Sequence, residues 1–291
     1  MSPEENAPYG PGSASAAQPV PGPKPIARIR THHLAQAKAE GRRFAMLTAY
    51  DQYMARIFDE AGIEVLLVGD SAANNVMGYA TTLPITLDEM IVFAKSVTAG
   101  ANRPLVVCDL PFGSYEVSPA QAVESSVRLL KEGLVHAVKL EGGAHYAGHV
   151  RALAAAGIPA MGHIGFTPQS EHALGGYRVQ GRGEAAAALV ADALALEEAG
   201  AFCVLMEMVP ADVAAEVDAA LRIPTIGIGA GAGTTGQVLV WQDMLGLRTE
   251  KVAKFVKRYA DLGTEISRAA RTYHDDVLSG TFPAAEHGFQ Q

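Results

Sequence analysis

The 291-residue sequence contains only two cysteines, Cys108 and Cys203, and both lie in apolar runs far apart in the chain. This usage indicates buried, reduced thiols of a cytoplasmic protein rather than a disulfide or a catalytic pair. No apolar run approaches the ~18 residues that span a bilayer. The N-terminus carries the acidic Glu4 and Glu5 and lacks an apolar segment. We therefore expect neither a membrane span nor a secretory signal.

Basic residues are also scarce. The chain has 23 lysines and arginines against 31 aspartates and glutamates, which gives a formal net charge of −8, and it has no basic block. Such a chain is a poor match for nucleic acid or for an anionic membrane surface, so we expect neither partner. Hydrophobic residues make up 49% of the chain, and there are 30 glycines. This composition indicates a folded enzyme core with many tight turns.

The first 25 residues differ in composition from the rest of the chain. They are rich in proline, glycine, serine and alanine, and they show no apolar period. Such a segment cannot bury enough apolar surface to fold. We therefore predict a disordered tail over residues 1–25 and one catalytic domain over residues 26–289.

Eight short apolar runs follow the tail, most of them separated by helical segments. None alternates between apolar and polar residues, and continuous apolar runs are typical of strands buried on both faces of a parallel sheet. The runs are Phe44–Tyr50, Val65–Asp70, Leu105–Asp109, Ala137–Gly143, Pro159–Gly165, Phe202–Met208, Pro224–Gly231 and Gln237–Asp243. Eight strand–helix units in a chain of this length favour an α/β fold of the (β/α)8 TIM-barrel class. A doubly wound open sheet is the alternative.

Several helix boundaries are visible in the sequence. Thr86–Glu89 and Ser118–Gln121 have the pattern of capping boxes. Glu184–Gly200 has the composition of a helix that stops at its glycine. Lys251–Leu278 predicts one long C-terminal helix or a pair of helices. A helix near Thr31–Glu40 precedes the first strand and is in a position to cover the bottom of a barrel.

Charged side chains end four of the predicted strands. In parallel α/β folds, ligands bind beyond the carboxyl ends of the strands. The charged residues there are Asp70, Asp109, Lys139, Glu141 and Glu207. So many charges at one face are unfavourable unless a cation or a substrate compensates them. Carboxylates from separate strands point to a hard cation such as Mg²⁺. For each residue alone, a salt bridge or a helix N-cap is the alternative.

Glu207 differs from the aspartates because its neighbours in the chain are apolar. An apolar setting raises the pKa of a carboxyl group towards neutrality, which suits a general base. A structural pair with a neighbouring arginine is the alternative. Lys139 and Glu141 are two residues apart on one strand and so share a face. They either pair with each other or place a cation for a substrate carboxylate beside a metal ligand. His163 is either a core histidine or a hydrogen-bonding partner of the substrate.

Two glycine-rich segments suggest loops near a site. Gly231–Gly236 matches the GxGxxG pattern, but no helix of normal length clearly follows it, so a dinucleotide site is disfavoured. We expect instead a close-approach loop that lines a site. Gly175–Gly183 is basic as well as glycine-rich and suits a mobile lid. Its arginines would meet an anionic substrate tail or serve a subunit contact.

Eight segments, taken in order and spacing, resemble the ketopantoate hydroxymethyltransferase family over Ile26–Phe289. They are VGDSAANNVMGY, TTLPITLDEM, CDLPFGSY, AVKLEGG, GHIGFTPQS, GGYRVQGRG, MEMVP and IPTIGIGAG. The resemblance implies a (β/α)8 barrel, Mg²⁺, and 5,10-methylenetetrahydrofolate as the donor of a hydroxymethyl group to 3-methyl-2-oxobutanoate. The product would be 2-dehydropantoate, on the route to pantothenate and coenzyme A. It also implies a cytoplasmic homo-oligomer, usually a decamer.

The resemblance extends to individual site residues. It implies metal ligation by Asp70, Asp109 and Glu141. It implies keto-acid contacts from Asp70, Ser71, Asp109 and Lys139, beside which His163 is our own candidate. Glu207 matches the family's proton acceptor. The sequence departs from the family at Ala72–Asn74, where many members read LGM, and this puts only the neighbouring pocket wall in doubt.

The expected mechanism is proton removal from C3 of the keto acid by Glu207, with the resulting enolate stabilised by Mg²⁺. Lys139 would add positive charge near the same group. The nearest alternative is another Mg²⁺-dependent enzyme of the same barrel that makes or breaks C–C or C–P bonds of 2-oxo acids. A barrel kept only as a binding subunit is disfavoured because all five charged strand-end residues are present.

Overall fold

The computed structural model describes residues 28–248 and 252–289. Eight parallel strands close into a barrel in sequence order, with β1 paired to β8. The predicted (β/α)8 TIM barrel is therefore confirmed. The strands are β1 Phe44–Thr48, β2 Val65–Val68, β3 Leu105–Asp109, β4 Ala137–Glu141, β5 Ala160–Gly165, β6 Cys203–Glu207, β7 Thr225–Ile228 and β8 Gly236–Leu239. The predicted tail over residues 1–25 lies outside the described residues.

Helices surround the barrel and occupy most of its loops. They are α1 Thr31–Ala39, α2 Gln52–Glu60, α3 Ala72–Asn75, α4 Leu87–Gly100, α5 Pro119–Lys131, α6 Ala147–Ala155, α7 Glu171–Leu174, α8 Ala185–Glu198, α9 Ala211–Ala220, α10 Trp241–Met244 and α11 Leu262–Ser279. Three short 3₁₀ turns lie at Ala144–Tyr146, Pro168–Ser170 and Ala285–His287. The chain passes from β7 to β8 without a helix, so one of the eight units is incomplete.

The two faces of the strands form two separate cores. Every residue of β2, β3 and β4 is buried, as the continuous apolar runs predict. Inward-facing side chains such as Met46, Leu67 and Val107 fill the barrel as one cluster, while the outward-facing ones pack under the helices as another. The barrel interior is thus a packed core and not a channel.

Helix α1 closes the amino end of the barrel, where the sequence placed it. Its buried side chains Leu34 and Ala37 belong to the inner cluster, together with Phe44 at the start of β1. Because they pack against strand residues that face inwards, α1 seals the end opposite to the strand-end charges. Both cysteines are free and buried.

The helix predictions are confirmed in part. At Thr86, the side chain accepts a hydrogen bond from Glu89 N and the Glu89 carboxylate accepts one from Thr86 N, so the capping box is closed. Ser118 also caps its helix, but the box predicted there is wrong. The Gln121 side chain accepts its hydrogen bond from Val117 N rather than from Ser118 N.

The two remaining helix predictions have different outcomes. The predicted helix Glu184–Gly200 corresponds to α8 and stops before Gly200, which has a φ of +101°. The predicted helix or pair of helices over Lys251–Leu278 is wrong over residues 252–261, because α11 begins only at Leu262. Lys254, Lys257 and Arg258 place like charges three and four residues apart, a spacing that destabilises a helix.

Candidate active site

A cavity of about 590 Å³ lies at the carboxyl ends of the strands. It is lined by five of the predicted site residues: Ser71, Asp109, Lys139, His163 and Glu207. The other two, Asp70 and Glu141, are buried next to this lining and contact it through Asp109 and His163. The structure therefore gathers the whole predicted set at one end of the barrel, as the strand-end rule predicts.

Asp109 and Lys139 form a buried ion pair at the floor of the cavity. Asp109 is the last residue of β3, and Lys139 lies mid-way along β4. The two residues are direct neighbours in the strand register. The Lys139 Nζ lies 3.0 Å from Asp109 Oδ1, and Asp109 Oδ2 accepts a hydrogen bond of 3.0 Å from Asp70 N. Lys139 thus pairs across strands with Asp109 and not, as one alternative had it, with Glu141. The pair fixes the ammonium at the cavity floor.

His163 links this pair to the other carboxylates. It is the register partner of Glu141, and its Nδ1 lies 3.2 Å from Lys139 Nζ and 3.3 Å from Glu141 Oε1. Burial, and then the charge of Lys139, lower the pKa of His163 well below its usual value, so the ring is neutral. Because an ammonium group only donates, Nδ1 accepts and the ring proton lies on Nε2. That nitrogen faces Glu207.

Glu207 ends β6 and lines the cavity. Its Oε2 lies 3.5 Å from His163 Nε2. Burial, followed by the negative charge of Glu141, raises the pKa of Glu207 to about 8. A carboxyl group with a pKa near neutrality accepts a carbon-bound proton better than an ordinary glutamate. Its contact is with His163, whose ring is neutral.

Gly165 allows β5 to approach Glu207 closely. Its φ of +91° is a conformation that side chains other than glycine rarely adopt. A Cβ atom at this position would lie 2.3 Å from the Glu207 carbonyl oxygen. The Glu207 carbonyl accepts a hydrogen bond of 2.8 Å from Phe166 N. Glycine is thus required for the backbone contact that holds Glu207 in place.

The floor carries more negative than positive charge. Burial is the main cause that raises the pKa of Asp70 and Asp109 to about 6 and that of Glu141 to about 7. The charge of Lys139 opposes the rise in the pKa of each of the three carboxyl groups. Buried carboxylates that repel one another in this way favour a bound cation.

The donor set suits Mg²⁺ better than a metal that needs a complete protein cage. In the described part of the chain, no group of three or more His, Cys, Asp or Glu side chains is arranged to hold a metal by itself. Mg²⁺ is usually held by one or two carboxylates and completes its shell with water and substrate oxygens. Glu141 Oε1 is buried without a hydrogen bond among the described residues. The oxygen ligands therefore fit this ion.

Tyr50 and Gln169 are among the polar residues around the site that the sequence analysis missed. Tyr50 lies just beyond β1, and its hydroxyl is 2.8 Å from Ser71 Oγ. The strand-end rule would have found it, since it ends the first predicted run. Gln169 lies in the 3₁₀ turn after β5 and contacts both Asp70 and Glu141. No charge, glycine pattern or strand end marks it in the sequence.

The two glycine-rich loops have different positions. Tyr177, from the segment Gly175–Gly183, lines the cavity and packs on Phe166 with ring centroids 4.7 Å apart. The segment is thus placed as a lid would be, and its motion stays a prediction. The Gly231–Gly236 loop approaches α9 closely and does not line this cavity. Its Gly231 and Gly233 pack instead against Ala211 and Ala215 of α9, so the expectation that the loop lines a site is not met at this cavity.

The outer wall of the cavity comes from the chain after β8. Val240, Val252 and Phe255 give it an apolar surface, and Asp243 and Arg248 add charge. Asp243 Oδ1 lies 3.7 Å from Arg248 Nη1.

Within the residues that the structure describes, no helix has the length and apolar character to cross a membrane.

Comparison with known proteins places the chain in a family. The family model described as ketopantoate hydroxymethyltransferase matches residues 28–285. The 3-methyl-2-oxobutanoate hydroxymethyltransferase of Paenarthrobacter aurescens (strain TC1) is 67% identical, over 98% of this chain and 96% of the relative. The protein of the same name from Nocardioides sp. (strain ATCC BAA-499 / JS614) is 63% identical, over 99% and 98%.

Solved structures share the fold at low sequence identity. Phosphonopyruvate hydrolase, solved in complex with oxalate and Mg²⁺, is similar with a TM-score of 0.57 at 12% identity, over 88% of this chain and 92% of that one. A 2,3-dimethylmalate lyase, a member of the PEP mutase/isocitrate lyase superfamily, has a TM-score of 0.56 at 17% identity, over 90% and 92%. At these identities the likeness concerns the barrel alone.

Proposed function

Because the chain belongs to the ketopantoate hydroxymethyltransferase family, we propose that it transfers a hydroxymethyl group from 5,10-methylenetetrahydrofolate to 3-methyl-2-oxobutanoate. The product is 2-dehydropantoate, which leads to pantothenate and coenzyme A. The observation that carries the proposal is the partly buried Glu207 carboxylate, 17% exposed, which lines the same cavity as Asp109 and Lys139. A base, a cation and an anionic cluster at one floor are what a reaction through proton removal next to a carbonyl requires.

The keto acid binds at the floor of the cavity. The Lys139 ammonium attracts its carboxylate, and the Ser71 hydroxyl, held by Tyr50, donates a hydrogen bond to it. Asp70, Asp109 and Glu141 are the residues that would hold Mg²⁺. When bound, Mg²⁺ supplies a positive charge that favours electron density on the keto oxygen.

Glu207 then removes the proton from C3. Its raised pKa matches it to this task, since a carboxylate of ordinary acidity is a weak base at neutral pH. The electron pair of the C–H bond moves to the keto oxygen. The Lys139 ammonium at the cavity floor stabilises the negative charge that develops on this oxygen. His163 remains neutral and keeps its Nε2–H turned towards Glu207. The apolar side chains of the wall keep water away from the base.

Carbon–carbon bond formation completes the reaction. C3 attacks the folate-derived methylene carbon, and both bonds from that carbon to the N5 and N10 nitrogens of the carrier break. One water molecule supplies the hydroxyl oxygen of the product, and its second proton, together with the proton taken from C3, goes to the two carrier nitrogens. The apolar outer wall, with Val240 and Phe255, offers a surface for a flat heterocycle. The Asp243 carboxylate in the same wall offers a hydrogen-bond acceptor for N–H groups of the heterocycle.

The assembly and location of the enzyme form part of the proposal. We expect a cytoplasmic homo-oligomer without nucleic-acid or membrane partners. A decamer is the assembly usual in the family, and we expect it here. Helix α11 supports an oligomer, since none of its residues is buried although Ile266, Tyr273 and Val277 lie along it. An exposed apolar stripe of this kind is typical of a subunit contact.

Proton NMR in D₂O tests the first step. With purified protein and Mg²⁺ but no folate, we expect the C3–H signal of 3-methyl-2-oxobutanoate to disappear, and EDTA to prevent the loss. Adding 5,10-methylenetetrahydrofolate should then give 2-dehydropantoate. If neither exchange nor product is observed, the proposed function is wrong.

The second candidate is a Mg²⁺-dependent enzyme that cleaves C–C or C–P bonds of 2-oxo acids. It shares the barrel of phosphonopyruvate hydrolase and of 2,3-dimethylmalate lyase, and the fold alone does not exclude it. Turnover of phosphonopyruvate or of a substituted malate without folate would support this candidate. Turnover that depends on folate excludes it.

A further inference from the structure

Gln169 stands behind two of the three carboxylates assigned to the metal. Its backbone N–H donates a hydrogen bond of 2.9 Å to Glu141 Oε2, and its side-chain Nε2 donates one of 2.9 Å to Asp70 Oδ2. The same Nε2 donates to the Leu110 carbonyl at 3.0 Å. One buried residue, 7% exposed, therefore holds an oxygen atom of each of two carboxylates that come from different strands.

Tyr115 sets the direction of the Gln169 amide. Its hydroxyl accepts a hydrogen bond of 3.3 Å from Glu141 N and donates one of 2.6 Å to Gln169 Oε1. Since the two ends of an amide have nearly the same shape, a donor at one end decides which end is the oxygen. With Oε1 held by Tyr115, the NH₂ group must face Asp70. The opposite orientation would place an amide oxygen against a carboxylate.

The contacts form a closed ring. It runs from Glu141 through Tyr115 to the Gln169 side chain, and it returns from Gln169 N to Glu141 Oε2. Asp70 is attached to the ring through the amide. Hydrogen bonds in such a ring polarise and orient one another. The ring leaves Glu141 Oε1 without a hydrogen bond among the described residues.

We propose that Gln169 is a positioning residue for the divalent cation: it holds Asp70 and Glu141 in their binding orientation, and Tyr115 fixes the direction of its amide. This inference rests on the metal site of the proposed function. Groups that orient metal ligands by hydrogen bonds typically change metal affinity by ~10–100-fold. Gln169 itself need not touch the cation, the keto acid or the folate.

Binding of Mn²⁺, measured by electron paramagnetic resonance on the full-length protein, tests the proposal without turnover. Gln169→Met keeps the length of the side chain and the backbone N–H but removes the amide. We expect it to weaken Mn²⁺ binding by ~10–100-fold. At saturating Mg²⁺, kcat should recover most of its wild-type value. The defect then lies in the metal dependence of the reaction.

Tyr115→Phe is the milder variant, and it keeps the proposal testable if Gln169→Met does not fold. It leaves the amide in place but removes the group that fixes its direction, so we expect Mn²⁺ binding to weaken by less than in Gln169→Met. If the two residues act as one unit, the double variant binds Mn²⁺ no more weakly than Gln169→Met alone.

Thr225→Val is the matched control. Thr225 lies at the start of β7, and the substitution removes its buried side-chain hydrogen bond to Asp218. This bond does not involve Asp70, Asp109 or Glu141. We expect lower stability and unchanged Mn²⁺ affinity. The proposal is overturned if folded Gln169→Met binds Mn²⁺ like the wild type, or if Thr225→Val weakens binding as much. If the wild-type protein does not bind Mn²⁺ at all, the proposed function fails together with this inference.

Discussion

His163 presents Nε2 to Glu207, with 3.5 Å between that nitrogen and Oε2. The separation is longer than a normal hydrogen bond, and the ring is neutral because burial and Lys139 lower its pKa. A protonated histidine at this place would hold Glu207 in its charged form and make it a weaker base. The neutral ring instead leaves burial and Glu141 as the dominant influences on the base.

Glu207→Gln should lower kcat by ~10³-fold, because the amide keeps the shape of the side chain and cannot accept the C3 proton. The affinities for Mg²⁺ and for 3-methyl-2-oxobutanoate, measured by calorimetry, should stay near their wild-type values. Loss of the C3–H signal in D₂O should stop as well. A variant with full activity would remove Glu207 as the base.

The pH dependence of kcat/KM should reflect the raised pKa of Glu207. Below about 8 the carboxyl group is protonated and cannot act as a base, so the rate should rise with pH and level off above that value. An exposed glutamate would give a plateau already near pH 6. The measurement is a steady-state profile between pH 5.5 and 9.5, at Mg²⁺ and folate concentrations held constant. A flat profile would contradict this assignment.

Asp109→Asn should weaken Mg²⁺ binding by ~10-fold or more and should lower stability by ~3–5 kcal/mol, since it leaves the buried Lys139 without its ionic partner. Calorimetry measures the first effect and urea unfolding the second. Asp218→Asn is the control. Asp218 Oδ1 lies 3.1 Å from Lys38 Nζ, and this ion pair does not include any predicted metal ligand. Metal affinity that changes equally in both variants would argue against Asp109 as a ligand.

Leu34→Ala should destabilise the protein by ~2–5 kcal/mol, because Leu34 is a fully buried part of the inner core. The KM for the keto acid and the pH profile should not change at 20 °C, since α1 lies at the end away from the cavity. Thermal unfolding measures the loss. Unchanged stability would mean that α1 does not seal the barrel.

The barrel and most of the site could be predicted from the sequence because both depend on local patterns. Each of Asp109, Glu141 and Glu207 is the last residue of an apolar strand, and the closed parallel barrel brings strand ends together. The partners of these residues could not be predicted. Lys139 pairs with Asp109 because of the strand register, which the sequence does not contain.

Two failures have different physical causes. Gln169 acts through hydrogen bonds to residues 28 and 99 positions away, and such long-range contacts leave no local pattern. The segment before α11 does have apolar residues at helical spacing, Val252, Phe255 and Val256. These side chains line the cavity. Their spacing therefore reflects the apolar cavity wall and not the buried face of a helix.

The seal that α1 places on the amino end has a kinetic consequence. The filled core and the helix block passage through the barrel, so the floor is reached from the carboxyl end, through the cavity. Under the proposed function, a small keto acid seated at Lys139 would be covered by the larger carrier that follows it. We therefore expect ordered substrate addition, with the keto acid binding first and its product leaving last.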